Sequence, residues 1–276
     1  MHNYNRATAK EKRCALKVDL MKAYDSVNWE FLLQVLKNFG FPSVLVNWIS
    51  KCITTPRFSV VINGELVGFF GSSRGLRQGD PLSPYLFVIT MEVLSRLLNR
   101  VVANLNFSFH WRCKKMGLTH LCFADDLMLF CKAEGTSLSL LKNALITFES
   151  WSGLSANPDK SNIFLSGVSD NEKMELLSLI GFDEGSFPIK YLGVPLITSK
   201  LTFGDCRPLL DKILARVASW RSRFLSYAGR IILIKSILWS VQIYWSSLFT
   251  LPSKIHNEID ASLRAILWSG VDMNRH

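Results

Sequence analysis

Residues 121–130 read LCFADDLMLF, and two adjacent carboxylates, Asp125 and Asp126, interrupt the two short apolar runs of this stretch. The apolar runs predict two strands of a packed sheet, joined by a tight turn at the aspartates. Paired carboxylates repel each other and resist burial, so they need a positive partner. Hard divalent cations such as Mg²⁺ prefer carboxylate and phosphate oxygens. The stretch therefore favours metal-dependent phosphoryl chemistry, although aspartate is also a common structural residue at hairpin turns.

A third carboxylate comes from residues 14–20, CALKVDL, a short apolar run that predicts a strand ending near Asp19. In two-metal catalysis, cations about 4 Å apart activate the attacking oxygen and stabilise the leaving oxygen. Carboxylates from two strands that meet at one sheet edge could bridge such a pair. The alternative for Asp19 or Asp25 is to cap the helix that follows, and this role suits Asp25 better because it stands next to the helix start.

Composition restricts the class of protein. Of the 276 residues 49% are hydrophobic, and Lys plus Arg outnumber Asp plus Glu by 32 to 22, which suits a substantial core and a polyanionic partner. The six cysteines include no C-x-x-C pair, so we expect reduced thiols rather than disulfides or a zinc site. The polar, basic start predicts no signal peptide. Lys235, Gln242 and four serines interrupt the apolar stretch 231–249, which predicts a buried helix rather than a membrane span.

The pattern along the chain predicts mixed α and β structure first and helices towards the end. From Lys200 onward, 11 Lys or Arg stand against five Asp or Glu. These basic helices would suit a clamp on a nucleic-acid backbone, and a solvated basic face without a partner is the alternative. The predicted elements are helices at 28–39, 43–52, 84–104, 137–151 and 171–180, a hairpin at 58–70, a strand at 161–166, and helices after 201 with breaks near Gly229 and Pro252.

Five short motifs follow one another along the chain: residues 17–27 (KVDLMKAYDSV), 74–84 (RGLRQGDPLSP), 123–126 (FADD), 157–161 (NPDKS) and 191–195 (YLGVP). In this order they resemble the first to fifth palm motifs of reverse transcriptases, of which the fifth is the primer grip. Together with residues 225–230, 251–252 and 267–270, the set is most similar to plant LINE-type (non-LTR) retrotransposon enzymes.

The resemblance implies an α+β fold, namely a polymerase right-hand palm. Such a palm has a small antiparallel sheet with helices on one face, beside partial fingers and a mainly helical thumb. The palm with its residual fingers elements would cover residues 1–199, and a basic helical thumb or connection region would cover 200–276. Only 18 residues precede Asp19, whereas the family carries a fingers region there. We therefore expect an N-terminally truncated fragment without most of the fingers, the endonuclease domain and the RNase H segment.

The resemblance also implies roles for single residues. Asp19, Asp125 and Asp126 would be catalytic and would bind two Mg²⁺ ions, with Mn²⁺ as an alternative. Lys160 would be a general acid for the departing pyrophosphate, and its alternative is an ordinary surface lysine. Tyr24 would exclude a 2′-hydroxyl from the sugar site, and its alternative is a core aromatic. The remaining implied contacts are with the nucleotide, through Ala23, Arg77, Gln78 and Gly79, and with the primer terminus, through Tyr191, Leu192 and Gly193.

The implied activity is RNA-directed DNA polymerase, a nucleotidyltransferase that extends a DNA primer on an RNA template with dNTPs. Without a cationic fingers region the triphosphate would be poorly neutralised, so we expect weak or no activity from this chain alone. The alternative is a catalytically silent retrotransposon remnant that at most binds nucleic acid. No membrane partner is expected. The family implies a nuclear location although no targeting signal is evident, and the pattern does not define an oligomeric state.

Overall fold

The chain divides into two compact units, one that extends to Phe187 and one that begins at Pro188. The computed structural model describes residues 11–196, 201–219 and 226–269. The domain boundary predicted at 199/200 lies outside these residues. Residues 188–196, which the sequence assigns to the palm, group with the helical C-terminal unit.

The first unit alternates strands and helices along the chain. Each helix and strand predicted for this region is present, with its ends shifted by at most two residues. The strands are β1 (Arg13–Asp19), β2 (Arg57–Ile62), β3 (Glu65–Gly71), β4 (His120–Phe123), β5 (Asp126–Cys131), β6 (Asn162–Ser166) and β7 (Asp183–Glu184). The helices are α1 (Ala23–Ser26), α2 (Trp29–Asn38), α3 (Ser43–Thr54), α4 (Ser83–Val102), α5 (Gly135–Ser152) and α6 (Asp170–Ile180), with a 3₁₀ turn at Lys114–Met116.

Five strands form one sheet in the order β4-β5-β1-β6-β7. The central strand β1 pairs antiparallel with both β5 and β6, and only the short β7 is parallel to its neighbour. Because side chains alternate between the faces of a strand, one face of β1 and β5 is apolar throughout and packs on α2, α4 and α5. The buried residues of that face are Cys14, Leu16, Val18, Leu127, Leu129 and Cys131.

The start of α2 shows which residue caps it. The side chain of Asn28 accepts a hydrogen bond from the backbone N–H of Phe31 at 3.1 Å. Asp25 lies inside the short helix α1, so the alternative role of capping the following helix does not apply to it. The physical reason is distance along the chain, because an N-cap side chain reaches only the N–H groups two or three residues ahead.

The β2–β3 hairpin forms a separate two-stranded sheet. Its turn residues Asn63 and Gly64 both have positive φ, at 52° and 89°, as the predicted Asn-Gly turn requires. Large apolar side chains on both strands are exposed, with Val61 at 63%, Leu66 at 66% and Phe69 at 71%. The described residues therefore leave this hairpin largely uncovered.

The second unit begins with a small hairpin and continues as helices. Its core contains Leu209, Ile213, Trp245, Ile255 and Ile259. The predicted break near Pro252 is present, whereas Gly229 lies inside a helix that begins after Ser226, whose hydroxyl accepts the Gly229 N–H at 3.2 Å. The elements are β8 (Ile189–Tyr191), β9 (Val194–Leu196), a 3₁₀ turn (Gly204–Cys206), α7 (Arg207–Ser219), α8 (Tyr227–Leu233), a π-helical stretch (Ile234–Leu238), α9 (Trp239–Leu248) and α10 (Ser253–Ser269).

Residues 227–248 form one continuous apolar helix that is long and apolar enough, by length and composition alone, to cross a membrane. Only 6% of the most apolar 18-residue part of this helix is buried. Trp239 and Ile243 are half exposed or more. The prediction of a buried helix is therefore wrong for the described residues. Hydropathy reports how favourable burial would be, and it does not supply the neighbouring surface that would cover the helix.

Candidate active site

Asp19 and Asp126 meet at one end of the central strand pair. Asp19 is the last residue of β1 and Asp126 the first of β5, and the ladder places them directly opposite each other. Directly opposed residues of an antiparallel pair have Cβ atoms about 5 Å apart. Ala124, with φ +51°, and Asp125 form the two-residue turn between β4 and β5, so Asp125 directly precedes Asp126. The structure thus gathers the three predicted carboxylates at one sheet end.

The three carboxylates influence one another electrostatically. Partial burial raises the pKa of Asp126 above the ordinary value for aspartate, and the charges of Asp125 and Asp19 raise it further. Lys17 opposes this rise in the pKa of Asp126, because it lies two residues before Asp19 and therefore on the same face of β1. Lys17 stands at the start of the first motif but was not among the predicted site residues, although the alternation of side chains along β1 places it on the face of Asp19.

The same carboxylates are the natural place to test for a metal. In the parts of the chain that the structure describes, no three His, Cys, Asp or Glu side chains are arranged to hold a metal ion. The chemistry of the donors nevertheless fits a divalent cation, since carboxylate oxygens are hard ligands and their mutual repulsion raises the pKa of Asp126. A metal shared by Asp19, Asp125 and Asp126 stays a prediction.

The loop of the fourth motif holds the backbone of Asp19. The Asp19 N–H donates to the hydroxyl of Ser161 at 3.1 Å, and the Asp19 carbonyl accepts from the N–H of Asn157 at 2.8 Å. Ser161 is fully buried, and nothing in the fourth motif indicates this contact with Asp19. Lys160 lies in the same loop with an exposed side chain. The structure therefore brings the loop of Lys160 to Asp19, and the acid role of its ammonium group stays a prediction.

Tyr24 lies in α1, directly after the buried Ala23. Its ring stacks on Phe87 with the centroids 4.8 Å apart and the planes tilted by 15°, so it is partly a core aromatic. Its carbonyl accepts a hydrogen bond from the N–H of Leu76 at 2.6 Å. Tyr24 as a whole is only half buried, so part of the residue remains accessible.

The loop at residues 74–80 carries the other predicted nucleotide contacts. The guanidinium of Arg77 forms an ion pair with Asp80 at 2.5 Å, and Asp80 also accepts the N–H of Leu82 at 2.9 Å. Gln78 and Gly79 are exposed at the turn, where Gly79 has φ +90°. This conformation explains the glycine, because other residues rarely adopt it.

The same loop is fastened to the turn that carries Tyr24. Gly75 has φ +94°, and a Cβ atom there would lie 2.7 Å from the backbone oxygen of Asp25. The Gly75 N–H donates to the carbonyl of Val27 at 2.8 Å, and the indole N–H of Trp29 donates to the Gly75 carbonyl at 2.6 Å. Trp29 was not among the predicted site residues, because the helical pattern that begins there accounts for it as part of an amphipathic face.

Residues 2–196 match the family model described as reverse transcriptase (RNA-dependent DNA polymerase). The chain belongs to the reverse transcriptase family. The predicted family is thus confirmed, and so is the α+β fold class, whose sheet and helices form the reverse transcriptase palm.

Relatives of this reverse transcriptase domain are proteins of non-LTR retrotransposable elements. It is 30% identical over 191 residues to the Pol polyprotein of the R2DM element of Drosophila melanogaster, which covers 64% of the chain and 17% of that protein. It is 26% identical over 261 residues to the uncharacterized 149 kDa protein of transposon TX1 of Xenopus laevis, over 92% of the chain and 19% of that protein. The chain therefore spans less than a fifth of either relative.

A plant sequence matches a shorter stretch. An uncharacterized mitochondrial protein of Arabidopsis thaliana is 46% identical over 67 residues, which are 24% of the chain and 55% of that protein. Among solved structures, a telomerase of Candida tropicalis is similar with a TM-score of 0.49 and 14% identity, over 68% of the chain and 35% of that structure.

The fifth motif of the reverse transcriptase lies in the second unit. Leu192 and Gly193, with φ of 51° and 77°, form the turn of the hairpin between β8 and β9. Tyr191 is buried, and the hydroxyl of Tyr244 donates to the Leu192 carbonyl at 2.6 Å. The primer-grip role of this hairpin stays a prediction.

Proposed function

We propose that this chain supplies the palm chemistry of an RNA-directed DNA polymerase, which extends a DNA primer on an RNA template with dNTPs. The observation that carries the proposal is the register of Asp19 opposite Asp126, with Asp125 in the adjoining turn. Membership of the reverse transcriptase family supports it. Two of the relatives are proteins of transposable elements, which supports a retroelement of the LINE type as the proposed setting. A plant source and a nuclear location are part of the same proposal.

In this proposal Asp19, Asp125 and Asp126 hold two divalent cations, Mg²⁺ or alternatively Mn²⁺. When bound, these cations lower the pKa of the primer 3′-hydroxyl and neutralise the triphosphate. The chain itself fixes Asp19 through Ser161 and Asn157, so that its carboxylate is positioned before substrate arrives. Lys160, in the same loop, donates a proton to the departing pyrophosphate.

Selection of the deoxynucleotide would fall to Tyr24. Its stacking on Phe87 holds the ring against the core, and a rigid ring at the sugar site would exclude a 2′-hydroxyl. The nucleotide would be held further by Ala23, Gln78, Gly79 and Arg77. Asp80 fixes the orientation of the Arg77 guanidinium, which suits a side chain that has to meet a phosphate in a defined geometry.

Nucleic-acid binding would rest on the basic second unit and on the hairpin of Tyr191, Leu192 and Gly193. Phosphate neutralisation by Lys and Arg supplies most of the salt-dependent affinity of such surfaces. Because the chain spans only 17% and 19% of two retrotransposon relatives, we expect weak activity from the chain alone. A silent remnant that binds RNA without extending a primer is the second candidate, and the net charge of +10 supports its binding activity.

Primer extension on an RNA template with Mg²⁺ tests the proposal. We expect incorporation by the wild-type chain and a fall of at least about 10²-fold for Asp125→Ala, since electrostatic stabilisation of this kind typically contributes that much. The matched control is Asp170→Ala at the start of α6, an exposed carboxylate that follows the opposite end of β6, where Ser166 pairs with Arg13, and this variant should extend like the wild type. Equal incorporation by the wild type and Asp125→Ala would contradict the polymerase, and salt-sensitive RNA binding without extension would support the remnant.

A further inference from the structure

Trp29 connects two segments of the proposed nucleotide site. It is the first residue of α2, directly after the turn that carries Tyr24. Its indole N–H donates to the carbonyl of Gly75 at 2.6 Å, across 46 residues of sequence. Gly75 stands at the start of the loop that carries Arg77, Gln78 and Gly79. The indole is therefore a side-chain bridge between the residues proposed for the sugar and those proposed for the rest of the nucleotide.

Three hydrogen bonds converge on the Gly75–Leu76 peptide unit and its flanking N–H. The Gly75 N–H donates to Val27 at 2.8 Å, the Leu76 N–H donates to Tyr24 at 2.6 Å, and the Gly75 carbonyl accepts from Trp29. Two of these bonds lie between backbone groups, so side-chain substitution does not remove them. The bond from Trp29 is the one that a single side-chain change can delete.

The turn that carries Tyr24 and the loop that begins at Gly75 are in close backbone contact. At Gly75 a Cβ atom would be 2.7 Å from the Asp25 carbonyl oxygen, so the two backbones touch. Leu76 is 3% exposed, so the loop is buried on the side that faces the core. In this geometry a small rotation of the Gly75–Leu76 peptide shifts the Leu76 N–H, which donates to the Tyr24 carbonyl. We therefore expect Tyr24 to move together with the loop.

We propose that Trp29 is a positioning residue of the nucleotide site, which fixes Tyr24 relative to the loop of Gln78 by holding the Gly75 carbonyl. The inference rests on the proposed polymerase function. Trp29 does not touch the reacting atoms. Its loss should weaken nucleotide binding and sugar selection, and leave the carboxylates of β1 and β5 in place.

The test compares Trp29→Phe, which keeps an aromatic ring and removes the N–H, with Trp48→Phe, whose side chain is 63% exposed on α3. For Trp29→Phe we expect the KM for dNTP to rise about five- to tenfold with kcat within about twofold, since one hydrogen bond typically contributes this much. Discrimination against ribonucleotides should fall by a similar factor. Amide hydrogen exchange at Leu76 should become faster by a similar factor, and Trp48→Phe should match the wild type in each measurement.

A purely structural role would give a different result. The inference is overturned if Trp29→Phe lowers both the melting temperature and kcat, and KM changes only together with that loss of stability. It is also overturned if KM and the amide exchange of Leu76 stay unchanged. Should Trp29→Phe fail to fold, benzothienylalanine at position 29 removes the N–H with the shape of the indole preserved. A wild type that never extends a primer contradicts the proposed function itself, whereas unchanged exchange and KM in the variant beside an active wild type overturn only the role of Trp29.

Discussion

Asp19 lies directly opposite Asp126 in the antiparallel ladder between β1 and β5. Backbone register therefore sets the spacing of these two carboxylates, and their side chains need no partner of their own to be brought together. The repulsion between them lowers the stability of the chain whenever both are ionised and no cation is bound. The same arrangement that would serve catalysis thus works against folding, and this opposition can be measured.

Asp126→Asn should raise the melting temperature at pH 7 in EDTA. The folded state raises the pKa of Asp126, so it binds the proton more readily than the unfolded state does. The destabilisation is therefore present above the folded pKa and disappears as the pH falls through it. We expect a gain of about 1–2 °C at pH 7 that shrinks on acidification. Added Mg²⁺ should raise the melting temperature of the wild type more than that of the variant, and a variant that melts below the wild type at pH 7 would contradict the assignment.

Gly75→Ala should destabilise the chain more than Gly64→Ala. Both glycines have nearly the same φ, 94° and 89°, but only a Cβ atom at Gly75 meets the carbonyl of Asp25 at 2.7 Å. Strain from positive φ costs about 1 kcal/mol in either case. The collision should add to this at Gly75 alone, by at least about another 1 kcal/mol. Urea unfolding of the two variants measures the difference, and equal losses would show that the loop can move away from the turn.

His110 should make the chain sensitive to acid. Burial, together with the charges of Arg13 and Arg112, lowers the pKa of His110 to about 4. Because the unfolded histidine binds its proton near pH 6.5, stability is lost as the pH falls from about 6.5 to about 4. The full loss amounts to about 3 kcal/mol. His110→Gln should flatten this part of the stability curve in urea unfolding at fixed pH values, and a curve that keeps its slope would assign the acid sensitivity to other groups.

The apolar side chains of the β2–β3 hairpin should contribute little to stability. Phe69 is 71% exposed, so Phe69→Thr, which keeps a residue suited to a strand, should change the free energy of unfolding by less than about 0.5 kcal/mol. Solubility should rise, because exposed apolar strands promote association. The control is Leu129→Ala in the buried face of β5, where we expect a loss of about 2–5 kcal/mol. A comparable loss for Phe69→Thr would show that the hairpin is covered in solution.

Local patterns predicted much of this fold because they report local physics. The apolar runs in residues 14–20 and 127–131 predict buried strands, and the Asn63-Gly64 turn defines its own hairpin. The helix at 227–248 was misjudged for the converse reason. Its hydropathy is a property of the segment, whereas its burial depends on neighbours that hydropathy does not describe.

Contacts between distant residues were beyond the sequence pattern. Nothing in the spacing indicates that Ser161 holds Asp19 or that Trp29 reaches Gly75, because such bonds depend on how β1, β6 and the loops are placed in three dimensions. The position of Lys17 could be predicted from the sequence, since the alternation of side chains along a strand places it on the same face of β1 as Asp19. The motifs identified the carboxylates, whereas the supporting contacts of Ser161 and Trp29 are known only from the structure.

The central position of β1 in the sheet has a consequence for synthesis on the ribosome. The strand that ends at Asp19 is made before both of its neighbours, which are residues 126–131 and 162–166. Neither neighbour has been translated until more than a hundred further residues have followed, and contacts so distant in sequence form slowly. A nascent chain that stops before Ser166 therefore exposes an apolar strand with at least one edge open, and Asp19 acquires its complete surroundings only after the fourth motif has left the ribosome.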